Sequence, residues 1–213
     1  MPTNQPFEHQ PVMVEEIVDL FGPVPAGPVV DATLGGAGHA RALLEAHPDL
    51  SILGLDRDPV AIAVAAERLA PYGARAAVVH ARFDAITDAV HARGLDVVSG
   101  VLFDLGVSSP QLDDATRGFS HRLDAPLDMR MDPTTGISAA DVVNGYSEAD
   151  LARVLRELGD ERYATRIARS IVAHRPTPRR ASWPTSCATP SRPPPAVAGV
   201  IRPGGRSRPC ASR

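Results

Sequence analysis

The residues of this chain best suited to chemistry are aspartates that end apolar runs. Asp31 closes "GPVVD", Asp56 closes "SILGLD", Asp84 follows "AVVHARF" and Asp104 closes "GVLFD". Runs rich in Val, Ile and Leu have the composition of buried strands. A carboxylate at the end of such a run is an acceptor held in place, suited to the hydroxyl or amine groups of a small molecule. Between the first two aspartates lies "DATLGGAGHARALL", where Gly35, Gly36 and Gly38 turn a strand into a helix. Glycines at such a corner let backbone N–H groups approach a ligand, although many corners use them only to turn. Asp56 lies about 20 residues beyond this loop, where a nucleoside-binding acid is expected. A carboxylate accepting ribose hydroxyls makes charge-assisted bonds worth about 1.5–3 kcal/mol each. Its bland alternative is a helix cap ahead of Pro59. Phe83 and Asp84 stand where an adenine could stack and its amine be bound, or where an ordinary core ring and its neighbour would sit.

The dinucleotide pattern G-x-G-x-x-G is only partly present. Gly36 and Gly38 supply its first two glycines, but Arg41 stands at the third. An acidic strand end before a glycine loop better resembles the first motif of methyltransferases that use S-adenosylmethionine (SAM).

Around these residues the chain alternates strands and helices. "PVMVEEIVDLF" has helical spacing, with Val14, Ile17, Val18 and Phe21 on one face. Strands are expected at "GPVVDAT", "SILGLDRD", "ARAAVVHARF" and "DVVSGVLFDLG". Helices are expected at "GHARALLEAHP", "PVAIAVAAERLAPYG" and around Ala85 to Arg93. This alternation implies βαβ units and a parallel sheet. From Ser138 to Arg175 the pattern is helical only, with a capping box from Ser147 and Asp150 ahead of Leu151, Val154, Leu155 and Leu158. In the next helix Tyr163, Ile167 and Ile171 form one stripe and Arg162, Arg166 and Arg169 another, either a solvated face or a surface for RNA phosphates.

Composition narrows the class. The 213 residues are 44% hydrophobic, and the two cysteines, Cys187 and Cys210, imply neither a disulfide framework nor a zinc site. No apolar run approaches the roughly 18 residues of a membrane span, and the first residues lack a signal-peptide core, so a cytoplasmic protein without membrane contact is expected. The net charge of −3 hides an asymmetry: residues 1–150 carry 9 Arg against 22 acids, and residues 151–213 carry 13 Arg against 3. A basic half can face nucleic acid; arginine in place of every lysine can equally reflect a GC-rich gene.

The stretch "LFDLGVSSPQLDDATRGFSHRLDAPLDMRMDP", together with "HQPVMVEEIVDL", "DATLGGAGH", "LDRDPVAIAVA" and "LGDERYATRIARSIV", closely resembles the RsmH (MraW) family of bacterial methyltransferases. The resemblance runs from about His9 to Arg175. It implies a class I, Rossmann-like SAM-methyltransferase sheet with a helical domain inserted after the fourth strand. SAM is then the cofactor and the N4 amine of a cytosine in 16S rRNA the target, so that the small ribosomal subunit is the partner; a homodimer is one conceivable partner state. By motif position, the SAM contacts would be Ala37, Gly38, His39, Asp56, Phe83, Asp104 and Gln111, with Asp104 also catalytic. Ala37 departs from the family pattern, which has two glycines directly before the histidine. A cytosine amine is a weak nucleophile that acceptors must orient, and the absence of cysteine before Cys187 removes the thiol that attack at ring carbon would need. Asp128, Arg130 and Asp132 either line the target pocket or form a salt-bridged loop. A non-catalytic SAM or nucleotide-binding fragment is the alternative, and an NAD oxidoreductase is third.

Residues 1–112 are expected to form the SAM-binding part, 113–176 part of the helical insertion and 177–213 a tail of another kind. Residues 176–213 hold no acid and 9 of the 21 prolines. Shifted by one frame with GC-rich codons, "ASWPTSCATPSRPP" becomes "ELADVVRDAIPA" and "VIRPGGRSRPCAS" becomes "RHPARRTFQALRI", both family-like. A frameshift near Pro176, a tail without fixed structure and an exposed edge on the fourth strand are therefore expected, and activity only once the frame is restored.

Overall fold

The computed structural model describes residues 11–120, 122, 124–177 and 179. Four parallel strands form one sheet: β1 (Gly27–Asp31), β2 (Leu50–Asp56), β3 (Ala76–His80) and β4 (Gly100–Leu102), in the order β3-β2-β1-β4. Val29 stands opposite Ile52 and Gly100, and Asp31 opposite Gly54 and Leu102. The chain builds outward from β1 through β2 to β3, then returns to the other side of β1 with β4. The order therefore reverses between β1 and β4, and at such a switch point the carboxyl ends of the strands leave a crevice for a ligand.

Both faces of the sheet are covered, which is why its strands read as continuous apolar runs. On one face Val29 and Ile52 pack beneath Ile17, Val18 and Phe21 of α1 (Val14–Phe21), Leu43 and Leu44 of α2 (Gly38–Ala46), and Ala65 and Leu69 of α3 (Pro59–Leu69). On the other face Val30, Leu53 and Leu55 meet Ala89 and Val90 of α4 (Ile86–His91). Short 3-10 turns at Ala70–Arg75 and Phe83–Ala85 flank β3. The fourth strand is much shorter than "DVVSGVLFDLG" suggests. It pairs only with β1 and is the sheet edge among the described residues, with Val101 40% exposed.

After β4 come α5 (Ser109–Asp113), a 3-10 turn at Ala115–Arg117, and then α6 (Ala139–Gly145), α7 (Glu148–Glu157) and α8 (Ala164–Ala173). These last three enclose their own core of Leu127, Val143, Leu151, Ala152, Ala168 and Ile171. Only half of the expected box at Ser147 forms: its hydroxyl accepts the Asp150 N–H and donates to that carboxylate. Full reciprocal boxes lie instead at α5, between Ser108 and Gln111, and at α6, between Ser138 and Asp141. Leu158 falls past the end of α7 and is exposed, and Tyr163 caps α8 as a half-exposed ring rather than joining Ile171 in the core. Thr177, expected to open an unstructured tail, is buried. Its N–H donates to Asn144 Oδ1, and Arg179 pairs with Asp124. Packing of the helical part thus continues past Pro176; Pro178 and residues 180–213, and the frame-shifted reading with them, lie outside the described residues.

Candidate functional site

The loop from Asp31 to His39 crosses the carboxyl end of the sheet and is fastened on both sides. On the β2 side the Gly35 N–H donates to Asp56 Oδ2 at 2.8 Å. On the β4 side the Asp104 N–H donates to Thr33 Oγ1 at 2.6 Å. Asp56 and Asp104 therefore flank the loop, and Asp31 lies beneath it, 1% exposed, accepting the Thr33 N–H. Burial pushes the Asp31 carboxyl up to about 6, against the stabilising Thr33 N–H and His39; the neighbouring carboxylates Asp56 and Asp104 add to the rise.

Two loop residues adopt left-handed backbone, Gly35 at φ 51° and Ala37 at φ 62°. Glycine takes this region freely, whereas alanine does so at a steric cost. Ala37, the departure noted in the sequence, thus keeps the conformation that a glycine would take, as the residue capping α2. Gly38 is needed for a different reason: a Cβ there would overlap the Pro11 ring. His39 follows in the first turn of α2, buried, with Nε2 2.8 Å from the Val12 carbonyl oxygen and Nδ1 3.9 Å from Asp104 Oδ2.

Asp56 accepts the Asp58 N–H on its other oxygen at 2.8 Å. A carboxylate offers about four acceptor sites, so two remain for a diol. The helix-capping role that competed for Asp56 belongs to Asp58, whose side chain accepts the Val60 N–H ahead of Pro59. Phe83 is half-exposed and meets the half-exposed Phe103 edge to face, with ring centroids 6.0 Å apart. The two rings follow the outermost strands, Phe83 in the turn after β3 and Phe103 directly after β4, so together they reach across the end of the sheet. Phe103 carried no signal beyond the apolar strand around it.

Other expected contacts are engaged within the protein. Asp84 is held by a bidentate pair with Arg82, at 2.8 Å for the shortest contact. Gln111 is buried; its Oε1 accepts the Ser108 N–H and its Nε2 donates to Asp58 Oδ2, at 3.0 and 2.8 Å. Asp128 and Arg130 form the salt-bridged loop that was one of the two readings for "DMRMD". Asp132 accepts from Thr134 and lies 3.4 Å from His80 Nε2 at the end of β3. Reasoning from sequence missed Asp58 and Arg117, which form a buried ion pair at 2.8 Å. On α8, the Arg166 guanidinium lies 4.7 Å from the Tyr163 ring centre and Arg169 pairs with Glu148.

The donor set fits a cation bearing hydroxyls better than a dinucleotide. Carboxylates of Asp31, Asp56 and Asp104 surround the loop, and a pyrophosphate there would meet like charge. Arg41, at the position of the missing third glycine, turns to Glu45 at 3.3 Å instead.

Comparison with known proteins bears on the same region. A family model described as the MraW methylase family matches residues 6–182. A protein from Nocardia farcinica named ribosomal RNA small subunit methyltransferase H is 52% identical over 177 residues, 79% of this chain and 55% of its own length. Proteins of the same name from Mycobacterium sp. (strain KMS) and Geotalea uraniireducens are 52% and 53% identical, over 80% and 79% of this chain and 48% and 54% of theirs. The chain spans about half the length of the curated relatives it matches.

Proposed function

The chain belongs to the MraW methylase family, and from that premise we propose that its site serves SAM-dependent transfer of a methyl group to the N4 amine of a cytosine in 16S rRNA, in the cytoplasm. The observation that carries this reading is the pair of carboxylates, Asp56 and Asp104, on either side of the glycine loop at the switch point of the sheet. The names of the curated relatives support a small-subunit ribosomal RNA as the partner.

Bound SAM supplies an electrophilic methyl on a sulfonium centre. The two acceptor sites left on Asp56 suit its ribose hydroxyls, and the loop from Ala37 to His39 would hold the methionine end. Phe83, with Phe103 across from it, offers an aromatic face to adenine. Gln111 acts on this site through Asp58 rather than by a free amide. Asp104 has the remaining task. Its side chain is 47% exposed at the mouth of the sheet, and as an acceptor it can take an N–H of the target amine and turn the nitrogen lone pair toward the methyl. The amine loses a proton during transfer, and the exposed Asp104 carboxylate is the acceptor proposed for it. A cytosine must leave its stack to reach this point, and the loop from Asp128 to Asp132 is proposed to border its pocket. Residues 1–112 would carry the cofactor, and the helical part up to about residue 176 would carry RNA contacts.

The test is methyl transfer from SAM to small-subunit RNA by the protein with its tail restored to the alternative frame. Nucleoside mass spectrometry should find N4-methylcytidine. Methylation at ring carbon would contradict the amine chemistry, and SAM binding with no transfer would favour a binding module over an enzyme.

A further inference from the structure

We infer that Arg117 is a positioning residue that fixes the loop from Asp128 to Asp132 against the cofactor side of the site, so that cofactor binding orders that loop. The inference rests on the proposed use of SAM and extends it to a residue outside the cofactor contacts.

Both terminal nitrogens of the Arg117 guanidinium serve this connection. Nη1 donates to Asp58 Oδ2 at 2.8 Å, and Nη2 donates to the carbonyl oxygens of Met131 at 2.7 Å and Arg130 at 3.2 Å. Its own carbonyl accepts the Met129 N–H at 3.0 Å. The side chains of Arg117 and Asp58 are 12% and 3% exposed, so water competes little for these bonds. On the far side, the Asp58 N–H donates to Asp56, and Asp56 accepts from the glycine loop. A continuous run of bonds therefore leads from the cofactor carboxylate, through Asp58 and Arg117, to the backbone of the Asp128–Asp132 loop. At the other end of that loop the Asp132 carboxylate lies 3.4 Å from His80 Nε2 at the end of β3.

Only a planar fork fits this task. Lysine would keep a charge beside Asp58 but cannot reach three acceptors in one plane. The loop also needs holding, because Met129 sits in left-handed backbone at φ 60° and is 44% exposed. A contiguous network becomes a coupling only when perturbing one end changes the other, which makes the loop's own amides the natural reporter.

Hydrogen exchange of residues 126–136 in the full chain, with and without SAM, tests this, while calorimetry measures SAM affinity. In the wild type SAM should slow exchange there by about threefold or more. In Arg117→Lys, SAM should still bind within about threefold of wild-type affinity, yet the added protection should disappear. Asp58→Asn keeps the cap on α3 while removing the charge that holds Arg117, and should lose the same protection; it decides the matter if the lysine variant does not fold. Equal protection in the variants, or none in a wild type that binds SAM, overturns the inference. A wild type that binds no SAM sinks the proposed function and this inference with it.

Discussion

Asp31 shows how the fold sets the properties of one residue at this site. Its carboxyl, buried beneath the glycine loop, is raised to about 6. A raised acid binds its proton more tightly in the folded chain, so folding gains below the unfolded value near 3.8 and loses that gain as pH climbs through about 6. Burial of the ionised form then costs on the order of 3 kcal/mol at neutral pH. Urea unfolding should therefore find the wild type losing stability from pH 3 to pH 7 relative to Asp31→Asn, by up to ~3 kcal/mol, most of it between about pH 4 and pH 6. An unchanging difference across that range would contradict the assignment. Asp104 makes the complementary case. Its carboxylate is exposed, so Asp104→Ala should lower the single-turnover rate of methyl transfer more than it lowers SAM affinity, and full activity would remove it from the mechanism. Asp56 and Asp104 were legible in the sequence because each closes an apolar run, Asp56 as the last residue of β2 and Asp104 two residues past β4, where position follows from local pattern. Asp58 and Arg117 were not, because their pairing joins residues 59 apart and no local spacing records it.

The junction between β1 and α2 is the element on which the site turns, and its two small residues are there for different reasons. Gly38 is excluded from bearing a side chain by the Pro11 ring. Gly38→Ala should cost about 1–3 kcal/mol through overpacking and weaken SAM binding with it. Ala37 bears strain rather than a clash. Ala37→Gly would relieve about 1–2 kcal/mol of left-handed strain and give up a buried methyl worth about 0.8 kcal/mol. Thermal unfolding should thus place Ala37→Gly within about 1 kcal/mol of wild type and Gly38→Ala clearly below it; the reverse order would mean that the loop is held differently. The alternation of strands and helices made this junction readable. The length of β4 was not readable, because an apolar run gives composition and not the number of partners. Ending the strand at Leu102 leaves Phe103 free to meet Phe83.

For the molecule as a whole, the parallel sheet and the change to a purely helical pattern after β4 were both legible, since hydrophobic period distinguishes them. The join between the two parts was not, because it is made by the Asp58–Arg117 ion pair, by the bonds of Arg117 to the carbonyls of Arg130 and Met131, and by the approach of His80 to Asp132. The whole account depends on what the crevice at the β1–β4 switch point accepts. Calorimetric titration of the 213-residue chain with SAM and, separately, with NAD measures this directly. SAM should bind one to one, NAD should give no comparable heat, and Asp56→Ala should weaken SAM by about 1.5–3 kcal/mol while remaining folded. Binding of NAD as tightly as SAM, or SAM affinity unchanged in Asp56→Ala, would contradict the account.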